Sequence, residues 1–172
     1  MSNKALSTIK YTGMVTLSQY IGSKKIKIAQ MQNTGGNPLF DFIADCLVGD
    51  FTLAKFNRPT KIMLLKRTAH ETTGAATTYT YEGLTGFSYL TTKPEKVYDP
   101  TNGIVRYSFL IPSDWLEGID NFDDVGIGLF TDSTTDRDLD SYAAFCELTV
   151  TKTSLVNAAL VVDWELIISN NK

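Results

Sequence analysis

The densest set of metal-type ligands in the chain is Asp136-x-Asp138-x-Asp140, with Glu147 eleven residues after Asp136. Carboxylates at these intervals copy the first, third, fifth and twelfth ligand positions of a helix-flanked calcium loop. Two features oppose that reading. Ser141 stands where the sharp turn of such a loop uses glycine, and Phe145-Cys146-Glu147-Leu148-Thr149 has strand character. A calcium loop of another kind would use Asp132 with Asp136, Asp138 and Asp140. The flanks favour a solvated acidic loop that meets a basic partner surface.

Other chemistry is sparse. His70 is the only histidine, in the polar stretch Arg67-Thr68-Ala69-His70-Glu71-Thr72, so a histidine-based triad or zinc site would have to be built around it alone. It reads as an exposed loop residue. Gly126-Ile127-Gly128 lacks the third glycine of a dinucleotide fingerprint, and Gly35-Gly36 lacks the Lys-Ser/Thr of a P-loop. Paired carboxylates could run glycoside hydrolysis. Asp163 and Glu165, however, fall on the same, solvent-facing side of a strand, and Asp123 and Asp124 carry no cleft signal. No enzymatic activity and no cofactor are expected. Tyr79 and Tyr81, with Tyr89 and Tyr98, could form a sugar-stacking or subunit-contact surface, the alternative for most of the aromatics being core and cross-strand packing.

The bulk numbers bound the rest. The 172 residues suit one domain, and 43% hydrophobic against 20% charged residues allows a real core. A net charge of −3 argues against binding nucleic acid through bulk charge. No apolar run approaches the roughly 20 residues that span a bilayer. The N-terminus lacks the apolar segment of a secretory signal, so synthesis for the cytosol, or release by a route such as lysis, is expected. Two cysteines, Cys46 and Cys146, are too few for a disulfide scaffold; both lie among apolar residues and read as buried free thiols. Charge is uneven: residues 1–67 hold ten Lys/Arg and three Asp/Glu (+7), residues 68–172 six and sixteen (−10). The halves either pair internally or present opposite faces to neighbouring copies.

The elements follow from periodicity. Tyr11–Tyr20 and Lys25–Ala29 alternate around the turn Ile21-Gly22-Ser23-Lys24, which predicts a hairpin. Leu39, Phe42, Ile43, Cys46 and Leu47 fall on one helical stripe. Asn37 and Pro38 suit its start and Gly49 its end, predicting a helix over about 38–48. Thr60–Lys66 reads as a buried strand, Thr68–Thr80 as an exposed hairpin tip, and Thr85–Thr91 as a short strand. Asp99-Pro100-Thr101-Asn102-Gly103 marks a turn before the strand Ile104–Ile111. Pro112–Gly118 reads as a helical turn. Val125–Phe130, Tyr142–Thr151 and Ala159–Ser169 complete about eight strands, the last placing Leu160, Val162, Trp164, Leu166 and Ile168 on one face. Turns rather than crossover helices join the strands. This predicts a mainly β chain: an antiparallel β-sandwich, jelly-roll-like, with one inserted helix. Its expected core includes Val15, Leu17, Phe42, Ile43, Leu47, Ile62, Leu64, Phe109, Trp164 and Leu166. Residues 11–172 form the domain, and residues 1–10 read as an arm that orders on assembly.

Three stretches carry a resemblance. They are Asn33-Thr34-Gly35-Gly36-Asn37-Pro38-Leu39-Phe40 running through the helix to Cys46-Leu47-Val48-Gly49; Arg58-Pro59-Thr60-Lys61-Ile62-Met63-Leu64-Leu65; and Leu139-Asp140-Ser141-Tyr142-Ala143-Ala144-Phe145 with Leu160-Val161-Val162-Asp163-Trp164-Glu165-Leu166. Over roughly residues 11–169 the chain resembles small virion structural proteins of tailed bacteriophages, of the minor structural, head-fibre or tail-accessory type. The resemblance implies a non-catalytic part of a capsid, neck or tail, assembled in the host cytoplasm and resident in the virion. Its partners would be copies of itself and other virion proteins. The alternative is a receptor- or carbohydrate-binding module that meets a host surface glycan.

Overall fold

The computed structural model describes residues 8–35, 37–49, 52, 58–74, 76–132, 142–150 and 158–171. Among these residues ten strands and two helices follow in chain order: β1 (Thr8–Ile21), β2 (Lys24–Gly35), α1 (Asn37–Val48), β3 (Pro59–Thr73), β4 (Ala76–Gly83), β5 (Ser88–Tyr89), β6 (Glu95–Val97), β7 (Asn102–Ile111), α2 (Ser113–Glu117), β8 (Val125–Thr131), β9 (Ala144–Glu147) and β10 (Leu160–Asn171). Every strand pairing is antiparallel. One sheet has the order β2-β1-β10-β7-β6 and the other β4-β3-β8-β9-β2. The chain is thus mainly β, sandwich-like, with a small helical part.

Two segments belong to both sheets and make the corners of the sandwich. Most of β2 pairs with β1, but Thr34 and Gly35 pair with Phe145 and Ala144 of β9. Ser88 and Tyr89 pair with Ile62 and Lys61 of β3, while the next residue, Leu90, bridges to Phe109 of β7. The Ser88 hydroxyl fastens this second corner by donating to the Leu110 carbonyl at 2.6 Å.

Between the sheets lies the core that alternation predicts. Val15, Leu17, Ile62, Leu64, Phe109, Trp164 and Leu166 are all buried in one cluster with Ile127, Leu129, Leu160 and Val162. Phe42 and Ile43 pack against it half-buried, beside fully buried Leu39; the Leu47 side chain lies outside the described part. Cys46 differs from expectation. It is exposed, and Val48 is 78% exposed, while α1 meets the core through Leu39, Phe42 and Ile43. Gly49 then ends the helix with φ +77°, a conformation glycine takes without Cβ strain.

The two thiols therefore sit in opposite environments. Burial pushes the Cys146 thiol up to about 12, with a smaller contribution from Glu147. Partial burial and Asp45 raise Cys46 by less. Since the thiolate is the reacting form, a small maleimide at about pH 8 should modify one thiol per native chain and a second only after unfolding. Cys46→Ala should remove the native-state reaction; two rapid modifications in the folded protein would contradict this placement.

Several local expectations shift. The stretch 68–80 is the exposed hairpin expected, and its two strands, β3 and β4, stay paired out to Thr73 and Ala76. The strand expected over 85–91 shrinks to Ser88–Tyr89, and the short edge strand β6 has no counterpart in the pattern. The N-terminal stretch enters the first sheet at Thr8, paired with Asn171; residues 1–7 lie outside the described part. The turn before β7 is held as its composition implies. One Asp99 carboxylate oxygen accepts from the Thr101 and Asn102 backbone N–H groups at 2.8 and 2.7 Å and from the Thr101 hydroxyl at 2.8 Å, which lowers the pKa of Asp99.

Candidate functional site

The second sheet continues beyond the sandwich. β8 accompanies β3 only as far as Lys66, paired with Val125. From Arg67 to Thr73, β3 is paired with β4 alone, and from Thr68 onward its side chains are exposed. The result is a two-stranded ribbon with a free outer edge on β4 among the described residues. Threonines brace it: the Thr68 hydroxyl donates to the Thr80 carbonyl at 3.2 Å, and the two hydroxyls lie 3.3 Å apart. Gly74, at φ +65°, makes the tip turn.

One face of the ribbon carries rings that lead back to the body. His70 pairs with Tyr79 and Arg67 with Tyr81 across the strands. The His70 and Tyr79 rings are 6.3 Å apart, Tyr79 and Tyr81 6.4 Å, and Tyr81 and Phe145 4.9 Å. Tyr142 meets Tyr81 edge-on at 5.4 Å. These rings flank a second apolar cluster on the outer face of the sheet: Met63, Leu65, Phe130 and Phe145, with Tyr81, Phe87 and Tyr142 half-buried around it. Arg67 lies over the Tyr79 ring at 4.9 Å and Lys61 over Phe87 at 4.4 Å.

This face explains Gly126 and Gly128. A Cβ on Gly126 would lie 2.2 Å from the Phe145 ring, and one on Gly128 2.7 Å from Leu65 and 2.6 Å from Phe130. The glycines let neighbouring side chains lie across β8, which is a packing role.

Arg67 is the pivot where ribbon meets body. Its guanidinium donates to Asp124 at 2.6 Å and stands 3.7 Å from Glu147, and its backbone N–H donates to the Asp124 carbonyl at 2.9 Å. The hydrogen bond to Asp124 is the main reason its pKa is raised further. Asp124 itself holds φ +57°, which a short polar side chain tolerates better than most. Burial, helped by the hydrogen bond with Tyr142, raises the Tyr81 hydroxyl pKa well above its ordinary value. That hydroxyl stays protonated at physiological pH and serves as a hydrogen-bonding group rather than a base.

The residues singled out from sequence scatter. Tyr79 and Tyr81 stand together on β4. Tyr89, 61% exposed, lies at the second corner opposite Lys61, and Tyr98, 89% exposed, follows the edge strand β6 of the other sheet. The four therefore do not make one surface. His70 is exposed, as expected, but on a strand. Asp136, Asp138 and Asp140 lie outside the described residues. Glu147 is exposed on β9, and Asp132 lies where β8 ends, its backbone carbonyl accepting from Lys61 at 3.4 Å. Among the described residues no three His, Cys, Asp or Glu side chains gather as metal ligands, and no helix is long and apolar enough to cross a membrane.

The outer face of the first sheet holds what sequence reasoning passed over. Asp163 accepts from Lys25 at 2.5 Å and from the Ser108 hydroxyl at 2.7 Å. Glu165 accepts from Arg106 at 2.7 Å, and Arg106 reaches Glu95 at 3.2 Å. The two carboxylates do share the outer side, but each is engaged by a cation. Lys25–Asp163 here, with Arg67–Asp124 and Arg67–Glu147 at the base of the ribbon, joins the basic first part of the chain to the acidic remainder. Part of the charge asymmetry is thus neutralised within the molecule. Alternation could place Asp163 outward, but no spacing rule connects it to Lys25, 138 residues away.

Compared with protein-family models, curated proteins and solved structures, the chain matches none.

Proposed function

We propose that this chain is a non-enzymatic structural subunit that acts through protein–protein contacts in a multimeric assembly. The observation that carries the reading is the β3–β4 ribbon. A two-stranded ribbon without a sheet behind it is marginally stable in water. Its outer strand, Ala76-Thr77-Thr78-Tyr79-Thr80-Tyr81, has neither the lysine nor the proline with which monomeric proteins blunt an edge. Such an edge is a template for strand addition, and the rings at its base give an incoming strand something to pack on. The resemblance to small virion proteins of tailed bacteriophages supplies the setting. On this reading the chain resides in the capsid, neck or tail of the particle, after assembly in the host cytoplasm. Its partners are copies of itself and other virion proteins, and no cofactor takes part.

The test is the mass of the purified chain in solution by analytical ultracentrifugation. A defined oligomer is expected, and Thr78→Lys with Thr80→Lys on the edge strand should reduce it to a folded monomer, its melting temperature lowered only by loss of the hydroxyl contact between Thr68 and Thr80. A wild-type chain that sediments as a monomer at every soluble concentration, or an oligomer indifferent to the two lysines, would overturn the proposal.

A further inference from the structure

On the outer face of the first sheet, away from the ribbon, Tyr20, Lys25, Thr91, Thr92, Ser108 and Asp163 surround a depression of about 300 Å³, with Leu110 and Val161 also in its lining. We infer that this depression is a binding site for a neutral saccharide.

Its parts come from well-separated stretches of chain. Tyr20 and Lys25 face each other across the β1–β2 hairpin, Asp163 is central on β10, Ser108 pairs with it from β7, and Thr91 is tied to β7 by its backbone N–H and its hydroxyl, both donating to the Ser108 carbonyl. The Asp163 side chain is only 12% exposed, yet it lines the depression. A carboxylate has about four acceptor positions. Lys25 takes one on one oxygen and Ser108 one on the other, which leaves one on each oxygen for a ligand. Adjacent hydroxyls of a sugar ring present two O–H donors at that spacing, and hydrogen bonds to a sheltered carboxylate are the strong kind. Lys25 keeps N–H donors for sugar oxygens, and the Thr92 hydroxyl adds a group that can donate or accept.

The apolar part fits the same ligand. Tyr20 is 54% exposed and Leu110 40% exposed, so a ring and an aliphatic side chain stand out of the sheet beside the polar floor. A pyranose is the small molecule with one edge of O–H donors and one face of C–H groups. A phosphorylated ligand would meet the Asp163 carboxylate, and a hydrocarbon chain would strip water from the Lys25–Asp163 pair without replacing it. Because that pair is charge-balanced, it gives no preference for an anionic sugar. The volume is at the lower end of ligand sites, which run from roughly 300 to 1,000 Å³, and suits one or two sugar rings.

The experiment is an NMR titration of the full chain with glucose, galactose, mannose, N-acetylglucosamine and short oligomers of each. Glucuronic acid and a Tyr79→Ala variant serve as comparisons. At least one neutral sugar should shift the amide signals around residues 20, 91–92, 108–110 and 161–163 saturably, with a dissociation constant on the order of 1 mM. Tyr20→Ala, an exposed change that leaves the fold intact, should weaken that binding roughly tenfold, whereas Tyr79→Ala should not alter it. The inference fails if no sugar of the panel produces saturable shifts, if glucuronic acid binds more tightly than every neutral sugar, or if binding survives Tyr20→Ala and is lost with Tyr79→Ala. Since the edge-strand lysines are read by mass and this site by sugar titration, failure of either proposal leaves the other standing.

Discussion

Trp164→Ala is expected to cost about 3–5 kcal/mol of folding stability, a fifth or more of the roughly 5–15 kcal/mol that holds a native domain together. Trp164 is fully buried and heads the largest buried side chains of the chain. It sits in the middle of the first sheet, paired with Val15 of β1 on one side and Tyr107 of β7 on the other. Its removal would leave a cavity walled by two neighbouring strands and the opposing sheet, and hydrogen-bonded strands cannot collapse into such a space. A second variant separates volume from polarity. The indole Nε1 is buried without a hydrogen-bond partner among the described residues, a burden of about 1–3 kcal/mol already present in the native protein. Trp164→Phe loses part of the ring but also sheds that N–H, so it should fall much closer to wild type than a simple loss of volume implies. Urea unfolding of the three proteins, compared at equal m-value, measures both differences. An alanine variant within about 1 kcal/mol of wild type would contradict this account of the core.

Gly126→Ala should destabilise by about 2–3 kcal/mol, although it adds a single methyl group to a residue of ordinary backbone geometry. The new Cβ would stand 2.2 and 2.5 Å from two atoms of the Phe145 ring and 2.7 Å from the Cys146 carbonyl oxygen. The ring could rotate away only by abandoning Tyr81 and Tyr142, which it meets at 4.9 and 5.8 Å. The carbonyl belongs to β9, held against β8 through the Gly126–Glu147 and Ile127–Cys146 pairs. Gly103→Ala is the matched control, since its nearest neighbours would be 3.8 and 3.9 Å away, and it should change stability by no more than about 0.5 kcal/mol. Adding Phe145→Ala to Gly126→Ala should recover the part due to the ring and leave the part due to the carbonyl, so the two changes should be clearly non-additive. Equal melting temperatures for the Gly126 and Gly103 variants would show that β8 and β9 are not packed as described.

Much of the site chemistry could not be read from one dimension. Tyr79 and Tyr81 were legible as two rings on one side of a strand, because alternate residues share a face. The expectation that Tyr89 and Tyr98 join them fails, because β5 sits at a corner and β6 lies at the far edge of the other sheet. The acidic loop showed as a ligand pattern, whereas the depression lined by Tyr20 and Asp163 showed no pattern at all, since its residues become neighbours only when β2, β1, β10 and β7 are laid side by side.

By itself the sequence determined the long strands but not the short edge strand β6 or the bounds of β5, and it determined where α1 starts and stops, which turns reverse the chain at Gly22 and Asp99, and which side of β1 and β10 faces the core. All of these follow from local backbone preference and from the two-residue and 3.6-residue periods of apolar side chains. Only the tertiary structure decided the rest. It set the order of the strands, the passage of β2 from one sheet to the other, the extension of β3 and β4 beyond the body, the exposure of Cys46, and the meeting of Lys25 with Asp163. Periodicity tells a residue which way to face but not which strand it will face. That choice depends on contacts between distant segments, whose energies exist only once the chain has closed on itself.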